Sequence, residues 1–469
     1  MLLEALALCA ATLAVSTLLL LLLLRRQMAP RDGSRVTVAF FHPYCHAGGG
    51  GERVLWAAVM ATAAAWRERG PGEARQLDMV IYSGDVPADG VDEEEQAAAI
   101  VARARARFDL AVDRRALRFV FLRQRRWVEA KTYPRLTLLG QSLGSLVLAA
   151  EALARCYPHV WIDTMGYAFA YPLVRLLGGA TVVSYTHYPT VSGDMLATAP
   201  SRAKLYYWRL FARVYGAAGR MCHVPMVNSS WTAGHVREIW RVDNVRVVFP
   251  PCPTENLRKL SVVGRPGTGK RAGEPRFGLS VAQFRPEKAH GLQLDALAAL
   301  IGDARDGEFD DVVLTLAGGC RGDEDEARVD ALKRRARELG IEKHVEFKIN
   351  VPYPELEALM ARSVFGLHTM WMEHFGIGVV EYMAAGMICL AHDSGGPKAD
   401  IVVDVQGKPT GFRATSKDEY AASMRTILRM SDGERETMVR RARAHVATFS
   451  DEAFADAWRS AMALVPQLQ

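Results

Sequence analysis

Two glutamates stand eight residues apart in a glycine-containing stretch, Glu373-His-Phe-Gly-Ile-Gly-Val-Val-Glu381. A helix that begins near Gly376 would place Glu373 just before it and Glu381 in its second turn. The first amide groups of a helix have no partner inside it and carry the positive end of its dipole. The backbone at Phe375, Gly376 and Ile377 could therefore hold a diphosphate, with the two carboxylates on sugar and ribose hydroxyls. The alternative interpretation is a capping acid followed by a surface acid.

Two cations, Arg285 and Lys288, directly follow a candidate strand at Phe277–Ala282. Negative charge accumulates on a leaving diphosphate as a glycosidic bond breaks, and cations at the carboxyl end of a strand would stabilise that charge. We interpret the pair as diphosphate-binding residues, with a charged turn in solvent as the alternative.

A run of four glycines, which includes Gly49, Gly50 and Gly51, separates the candidate strand Val36–Phe41 from a helix expected to begin near Glu52. Glycine lets the backbone approach an anion closely, and the start of a helix offers N–H groups. The run lacks the Gly-Lys-Ser/Thr of a P-loop and the spacing of a dinucleotide fingerprint. It predicts a donor-binding loop, with a flexible turn as the alternative.

Two further polar motifs differ in what they predict. His187 follows the candidate strand Thr181–Tyr185, and we interpret it as a contact to the donor sugar, with a structural histidine as the alternative. Asp323-Glu-Asp325-Glu has the D-x-D form of some metal-binding sites. It directly precedes a helical pattern, however, and acids are favoured in the first turn of a helix. We therefore predict no metal site there.

Composition narrows the class of protein. The 469 residues suit two α/β domains with an appendage better than one core. A net charge of +6 without a Lys/Arg-rich tail falls short of what a nucleic-acid-binding protein shows. The seven cysteines form no C-x-x-C pair, so neither a zinc site nor a disulfide framework is readable, and a reducing compartment such as the cytosol fits.

The amino terminus predicts a membrane anchor within residues 1–27. The uncharged run from Ala5 to Leu24 is long enough, at about 1.5 Å per residue, for a helix to cross the hydrocarbon core. Glu4 precedes the run and Arg25–Arg26 follow it, which disfavours the alternative of a cleaved signal peptide. The positive-inside rule then places the rest of the chain in the cytosol.

Strand and helix patterns alternate twice along the chain, which predicts an α/β protein with two Rossmann-like parallel sheets. A stretch rich in glycine, proline and charge, Ser261 to Pro275, separates the two series. The predicted domains are residues 34–252 for the acceptor, 253–275 as linker, 276–447 for the nucleotide sugar and 448–469 as a helix returning to the first domain. The remaining candidate strands are Met79–Tyr82, Phe119–Leu122, Val160–Asp163, Val224–Asn228, Val312–Ala317, Val345–Phe347, Val364–Leu367 and Ile388–Ala391.

Two basic and aromatic segments suggest contact with a membrane surface. From Ser201 to Arg220 the helical period aligns Arg202, Arg209 and Arg213 on one side and apolar residues on the other. Basic and aromatic residues are also interleaved between Arg123 and Arg135. Such segments suit an anionic bilayer, and an ordinary helix packed on the sheet is the alternative.

Taken together, these motifs resemble those of family 4 retaining glycosyltransferases, which have the two-Rossmann-domain GT-B architecture. The E-x7-E pair of that family is matched by Glu373 and Glu381. The likeness runs from about residue 35 to the carboxyl terminus and is specific for dolichol-pathway mannosyltransferases that act on a three-mannose oligosaccharide. The segments that carry it are Phe40–Cys45, Gly48–Trp56, Ser184–Thr190, Val227–Thr232, Ala282–Lys288, Gly366–Met370, Glu373–Glu381 and His392–Lys398.

The resemblance implies a retaining α-1,2-mannosyltransferase that adds the fourth and fifth mannoses from GDP-mannose to dolichyl-diphosphate-linked Man3GlcNAc2. It implies a single-pass protein of the endoplasmic reticulum membrane with a cytosolic catalytic body, in contact with other mannosyltransferases of the pathway. Glu373 would contact the donor hexose, Glu381 the ribose, and Arg285 and Lys288 the departing GDP, with His187 in the same cleft. The expected reaction is a front-face displacement that uses neither metal nor cofactor.

One position departs from the family pattern, and two other functions stay open. Many relatives carry arginine where this chain has Gln283, so either Arg285 acts from a shifted position or Lys288 carries more of the charge. The alternatives are the α-1,3/α-1,6-mannosyltransferase of the same pathway and a catalytically inactive scaffold. The presence of Glu373, Glu381, Arg285 and Lys288 together argues against a scaffold.

Overall fold

The computed structural model describes residues 33–69, 75–262, 275–304 and 307–469. They divide into two compact units. The first unit comprises the described residues through Asn228 together with Thr232–Phe249 and Phe454–Gln469, and the second comprises Ser229–Trp231 and Pro250–Ala453. The predicted membrane anchor, Ala5 to Leu24, lies outside the described residues.

The first unit is built on a seven-stranded parallel sheet in the order β3-β2-β1-β4-β5-β6-β7, so the strand order reverses between β1 and β4. Its strands are β1 Arg35–Phe41, β2 Gln76–Ser83, β3 Leu117–Phe121, β4 Val160–Asp163, β5 Thr181–Thr186, β6 Val224–Val227 and β7 Arg246–Val247. The α-helices up to β7 are α1 Gly50–Arg67, α2 Glu93–Phe108, α3 Thr137–Arg155, α4 Tyr171–Gly178, α5 Gly193–Ala197, α6 Arg202–Gly219 and α7 Ser230–Trp240.

The second unit repeats this plan with a six-stranded sheet in the order β10-β9-β8-β11-β12-β15, in which the order reverses between β8 and β11. Its strands are β8 Arg276–Val281, β9 Val312–Gly318, β10 Val345–Ile349, β11 Ser363–Leu367, β12 Ile388–His392 and β15 Phe412–Ala414, with a ribbon of β13 Asp404–Val405 and β14 Lys408–Pro409. The remaining α-helices are α8 Thr254–Arg258, α9 His290–Gly302, α10 Asp323–Glu338, α11 Tyr353–Arg362, α12 Ile377–Ala385, α13 Lys417–Arg429, α14 Asp432–His445 and α15 Asp451–Met462.

Burial on both faces explains why the central strands are continuous apolar runs. In β1, Val38 and Phe40 belong to one hydrophobic cluster, whereas Ala39 and Phe41 belong to the cluster on the opposite face of the sheet. The end of the chain joins the first of these clusters, because the fully buried Trp458 of α15 belongs to it. Successive side chains of β1 thus point to opposite faces of the sheet, and helices can pack on both faces.

Each strand predicted from the sequence is present, with ends within three residues of the predicted ones. The helix expected to begin near Glu52 begins two residues earlier, at Gly50. The reason is a local cap: the Glu52 carboxylate accepts a hydrogen bond from the Gly49 N–H at 2.6 Å, which draws the glycines into the first turn.

The start of the predicted linker is an ordered part of the second unit. Helix α8 forms there, with Thr254 and Leu257 buried. The Arg443 guanidinium donates a hydrogen bond to the carbonyl of Leu260 at 2.7 Å, which ties the end of this segment to α14. Residues 263–274 of the predicted linker lie outside the described part of the chain, so the bounds of the linker stay a prediction.

Helix α3 is, among the described residues, the single helix that is long and apolar enough by length and composition to cross a bilayer. Only 39% of its apolar window is buried within the protein. Its buried residues include Leu148, Ala149, Ala152 and Leu153, which pack in the cluster shared with Phe41. The helix therefore has one face in the core of the first unit and one face outside it.

Candidate functional site

Lys288 and Glu373 meet where the strand order of the second sheet reverses. Lys288 lies in the short 3-10 helix Pro286–Lys288 after β8, and Glu373 lies in the loop between β11 and α12. The Lys288 ammonium donates a hydrogen bond to Glu373 Oε2 at 2.6 Å. In open α/β sheets ligands bind outside the carboxyl ends of strands at such a reversal. This pair therefore marks the candidate site of the second unit.

His368, at the end of β11, is the second partner of the same carboxylate oxygen. Its Nε2 lies 3.3 Å from Glu373 Oε2, and its side chain is buried. Burial acts to raise the pKa of Glu373, but the hydrogen bond from His368 and the charge of Lys288 outweigh it and hold that pKa well below its usual value. Glu373 is therefore an anion throughout the neutral and mildly acidic range.

The backbone that carries these side chains is fixed from neighbouring elements. The Tyr420 hydroxyl donates a hydrogen bond to the carbonyl of His368 at 2.9 Å. The Thr369 hydroxyl donates to the carbonyl of Lys288 at 2.8 Å and accepts from the Gln293 side-chain amide at 2.8 Å. These hydrogen bonds join the segments that follow β8 and β11, and they hold the backbones of Lys288 and Glu373 near each other.

Helix α12 begins beside the same strand end. Gly376 precedes it with φ of +111°, a backbone conformation that favours glycine, and starts the turn into the helix. The Tyr382 hydroxyl accepts a hydrogen bond from the N–H of Val281 at 2.6 Å, which fixes the helix against the end of β8. The first-turn N–H groups at Ile377 and Gly378 have no partner within the helix and are available to an anion.

The loop after β12 braces the backbone around Glu373. The Gly396 N–H donates to the carbonyl of Glu373 at 2.7 Å, and the Ser394 hydroxyl accepts from the N–H of Met372 at 2.8 Å. A Cβ placed on Gly395 would lie 2.2 Å from the carbonyl oxygen of Glu373. The two glycines therefore serve close packing of one loop on another, which fixes where the carboxylate stands.

The other residues predicted for this site occupy different environments. Glu381 is half-buried in the second turn of α12, as the helix start at Gly376 requires. The ring of Phe375 is buried against Phe449 at 5.4 Å between centroids, so only its backbone is suited to bind a ligand. Arg285 is exposed. Of the two predicted cations, Lys288 is the one in contact with Glu373.

A second cluster lies at the strand reversal of the first unit. His42 follows β1 and Thr164 follows β4, and the His42 Nδ1 and Thr164 Oγ1 atoms are 2.7 Å apart. On its other side His42 Nε2 lies 3.8 Å from Glu52 Oε1. Burial acts to raise the pKa of Glu52, but His42 and the N–H of Gly49 outweigh it and lower that pKa. Glu52 thus holds the glycine loop in place as a buried anion.

The glycine loop runs beside His187, the residue predicted after β5. A Cβ placed on Gly51 would lie 3.6 Å from His187 Nε2, whereas Gly50 is exposed. The His187 ring also packs edge-on against Tyr185, with ring centroids 5.0 Å apart. The structure therefore brings the predicted loop and the predicted histidine together within the first unit.

Acidic residues of the D-x-D motif lie in the first turn of α10, as the sequence predicts. Asp325 accepts a hydrogen bond from the N–H of Arg321 at 3.0 Å, which caps the helix start. Within the described ranges no group of three or more His, Cys, Asp or Glu side chains is arranged to hold a metal ion.

Sequence reasoning assigned no role to His368, Ser394 or the Gly395–Gly396 pair, although the segments that contain them were part of the family resemblance. Their contacts with Glu373 and its neighbours come from other strands and loops. The one signal in the sequence was a histidine directly after an apolar strand, which by itself is as often structural.

Comparisons with known proteins cover nearly the whole chain. Residues 35–240 match the family described as ALG11 mannosyltransferase N-terminus, and residues 267–445 match glycosyl transferases group 1. The chain is 46% identical over 444 residues to the GDP-Man:Man(3)GlcNAc(2)-PP-Dol alpha-1,2-mannosyltransferase of Xenopus laevis, covering 90% of this chain and 87% of that one. The Homo sapiens protein of the same name is 44% identical over 440 residues, covering 90% and 85%.

Solved structures give the same result for the fold. Anabaena HepE in complex with UDP-glucose matches with a TM-score of 0.58 at 17% identity, covering 92% of this chain and 100% of that one. At this identity the likeness shows the fold alone, that of two parallel-sheet α/β units. The family match and the identities to the Xenopus laevis and Homo sapiens relatives establish that the chain belongs to the family of GDP-Man:Man(3)GlcNAc(2)-PP-Dol alpha-1,2-mannosyltransferases.

Proposed function

We propose that this chain transfers mannose from GDP-mannose to dolichyl-diphosphate-linked Man3GlcNAc2 in α-1,2 linkage, with retention at the anomeric carbon. It adds both the fourth and the fifth mannose. The names of its relatives supply the donor, the acceptor and the linkage. The number of sugars, the retention and the absence of a metal are the further content of the proposal.

The observation that carries the proposal is the cluster of Lys288, His368 and Glu373 beside the start of α12. An ammonium has three N–H donors, so Lys288 can hold Glu373 and a phosphate oxygen at the same time. The first turn of α12 offers N–H groups and a positive dipole end to the same diphosphate. Glu373, held as an anion at 2.6 Å from Lys288, accepts hydrogen bonds from sugar hydroxyls, and Glu381 does so from the ribose.

The proposed chemistry is a displacement on one face of the sugar. The bond between C1 of mannose and the β-phosphate oxygen breaks as the acceptor hydroxyl oxygen bonds to C1. The proton of that hydroxyl passes to the departing phosphate oxygen, so GDP leaves and no protein base is needed. Lys288 and the helix start stabilise the charge that grows on the diphosphate, and Arg285 adds a cation when it turns toward it.

The first unit is proposed to contribute its own substrate contacts. In the Gly49–Gly51 loop, Gly50 and Gly51 offer backbone N–H groups at the start of α1, because the N–H of Gly49 is bonded to Glu52. His187 offers a ring nitrogen next to Gly51. The amino-terminal run Ala5–Leu24 is proposed as a single span of the endoplasmic reticulum membrane, with the body of the chain on the cytosolic side, where GDP-mannose is made available. Association with other mannosyltransferases of the pathway belongs to the same proposal.

The test is transfer by the purified full-length chain in lipid nanodiscs. Radiolabelled GDP-mannose and the Man3GlcNAc2 lipid acceptor are incubated with EDTA, and products are sized before and after digestion with an α-1,2-specific mannosidase. We expect products enlarged by one and then two mannoses, both removed by the mannosidase. A product resistant to that enzyme, or one that forms equally from UDP-glucose, would contradict the proposal.

The Glu373→Gln variant tests whether the chain is an active enzyme or a catalytically inactive scaffold. The amide keeps the shape of the carboxylate but loses its charge, so we expect transfer to fall by about 100-fold. The matched control is Glu338→Gln, an exposed acid at the end of α10, which should retain full activity. Equal activity in both variants would show that Glu373 takes no part in the reaction.

A further inference from the structure

Trp371 is the one exposed tryptophan among the nine of the chain, all of which lie in the described ranges. Its exposed fraction is 52%, although tryptophan is on average highly buried. Four others are fully buried, and each of the remaining four has a cation over its ring or a ring stacked on it: Arg69 over Trp66, Arg126 over Trp127, Lys204 over Trp208 and His374 against Trp231. Among the described residues Trp371 has neither kind of partner. Its ring is therefore open to a ligand.

The position of Trp371 connects it with the candidate site. It lies in the loop between β11 and α12, two residues before Glu373, so the two Cα atoms are no more than about 7 Å apart. The Glu373 side chain is only 16% exposed, and the tryptophan ring beside it is far more open to solvent. The other exposed large apolar side chains in the described part of the second unit, Ile349 and Tyr353, also lie at the carboxyl end of a strand, β10. Substrates of an open α/β sheet bind at this edge.

The backbone on both sides of Trp371 is held in place. Met372 has a φ of +54°, which residues other than glycine adopt infrequently, and its N–H donates a hydrogen bond to the Ser394 hydroxyl at 2.8 Å. The Met370 Sδ atom accepts a hydrogen bond from the Lys288 ammonium at 3.0 Å. The ring is thus presented by a fixed loop, and a preformed contact surface loses little entropy when a ligand binds.

We propose that Trp371 is a stacking platform for the terminal mannose of the acceptor oligosaccharide. The inference rests on the proposed function and adds to it a residue that positions the acceptor. One face of a pyranose ring carries C–H groups, and these pack on the electron-rich face of an aromatic ring. The hydroxyls at the edge of the stacked sugar stay free, so its 2-hydroxyl can reach C1 of the donor. The donor has its own contacts at Lys288, Glu373 and the start of α12, which leaves the acceptor as the sugar to be positioned.

A platform that takes one sugar ring at a time accounts for two successive additions. After the first transfer the new terminal mannose again offers a 2-hydroxyl. The oligosaccharide then needs to move on by one sugar only, and the new ring stacks on Trp371 with the same C–H face. The three-mannose and the four-mannose acceptor should therefore depend on Trp371 equally.

Steady-state transfer in lipid nanodiscs is the first test. Trp371→Ala removes the platform and should raise the KM for the lipid acceptor by about 10-fold, for the three-mannose and the four-mannose forms alike, while the KM for GDP-mannose stays unchanged. Trp371→Phe keeps an aromatic face and should stay within about threefold of the wild type. The matched control is Leu464→Ala, which removes another exposed apolar side chain, just after α15, and should change neither KM. Because both side chains are exposed, thermal unfolding of all three variants should match the wild type.

Tryptophan fluorescence of the full-length chain is the second test, because it reads binding and not turnover. With GDP present, free Man3GlcNAc2 oligosaccharide at millimolar concentration should protect Trp371 from quenching by acrylamide. The contribution of Trp371 is the difference between the wild type and Trp371→Phe, so the phenylalanine variant should show no protection although it still transfers mannose. The disaccharide GlcNAc2, which has no mannose, should protect neither protein.

Each contrary result would overturn the proposal. Protection by GDP-mannose alone, or a raised KM for GDP-mannose in Trp371→Ala, would show that the ring contacts the donor. Quenching of Trp371 by spin-labelled lipids would show that the ring lies in the bilayer. Unchanged acrylamide quenching with the oligosaccharide, or an unchanged KM for the lipid acceptor, would show that no acceptor sugar stacks there. If the proposed reaction itself failed, no variant would transfer mannose, whereas failure of the platform alone leaves transfer by Trp371→Ala equal to that of the wild type.

Discussion

Replacing Lys288 by methionine removes the ammonium while keeping most of the apolar stem. The change deletes the 2.6 Å bond to Glu373 and, in the proposed reaction, one cation from the diphosphate. A hydrogen bond to a charged group contributes about 1.5–3 kcal/mol net, which corresponds to roughly 10- to 150-fold in rate. Because the charge of the diphosphate grows as the bond breaks, most of this loss should appear in kcat.

The assay is steady-state transfer of mannose to the three-mannose lipid acceptor, with kcat and KM for GDP-mannose measured separately. Lys333→Met on α10 is the matched control, because its ion pair with Asp330 joins two largely exposed side chains at 3.6 Å and should contribute little. Thermal unfolding of both variants checks that the fold is intact. A kcat for Lys288→Met within about twofold of the wild type, in a folded protein, would refute the reasoning.

A double-mutant cycle with Glu373→Gln tests whether the two residues act through one contact. Since both single changes break the same hydrogen bond, the double variant should lose less than the sum of the single losses, by about 1–2 kcal/mol. Fully additive losses would mean that Lys288 and Glu373 act on the substrate independently of each other.

Three further predictions follow from buried groups around the site. Burial and nearby cations lower the pKa of His290 from 6.5 to about 4. As the pH falls from 6.5 to 4, His290 is protonated in the unfolded chain before it is protonated in the folded one, so the free energy of unfolding falls by up to roughly 3 kcal/mol. The His290→Gln variant should lose less stability over this pH range in thermal unfolding. Gly395→Ala puts a Cβ 2.2 Å from the carbonyl oxygen of Glu373 at a φ of +60°, and kcat/KM should fall by about 100-fold. Tyr382→Phe leaves the partly buried N–H of Val281 without its hydrogen-bond partner and should cost about 1–3 kcal/mol of stability.

Each of these predictions has a result that would contradict it. For the histidine, an equally steep loss of stability in the glutamine variant would assign the pH dependence to other groups. For the glycine, the matched change is Gly291→Ala in α9, where a Cβ meets nothing within 4 Å; equal activities would mean that the brace on Glu373 is unimportant. For the tyrosine, an unchanged melting temperature would mean that the strand N–H finds another partner.

The main strands could be predicted from the sequence because both of their faces are buried. The run Val38–Phe41 of β1 is apolar at every position, since successive side chains enter opposite cores. The two- and three-residue strands β7 and β15 were not predicted, because so few residues carry no readable period. Their positions are set by the strands they pair with, which are distant in the sequence.

The candidate site was predictable in its residue types but not in its contacts. Glu373 and Glu381 were readable because eight residues of one local stretch separate them. The bond between Lys288 and Glu373 joins residues 85 positions apart, and the partnership of His368 with that carboxylate depends on where β11 ends. Only the strand order of the sheet brings these side chains together, and no local pattern encodes it.

The central claim is that the second unit grips a nucleotide diphosphate between Lys288 and the start of α12, with Glu373 on the sugar and Glu381 on the ribose. A structure of the full-length chain bound to GDP-mannose measures this directly. We expect diphosphate oxygens within hydrogen-bond distance of the Ile377 N–H and the Lys288 ammonium, and a mannose hydroxyl on Glu373. A donor bound with both glutamates out of reach of its sugars would contradict the account.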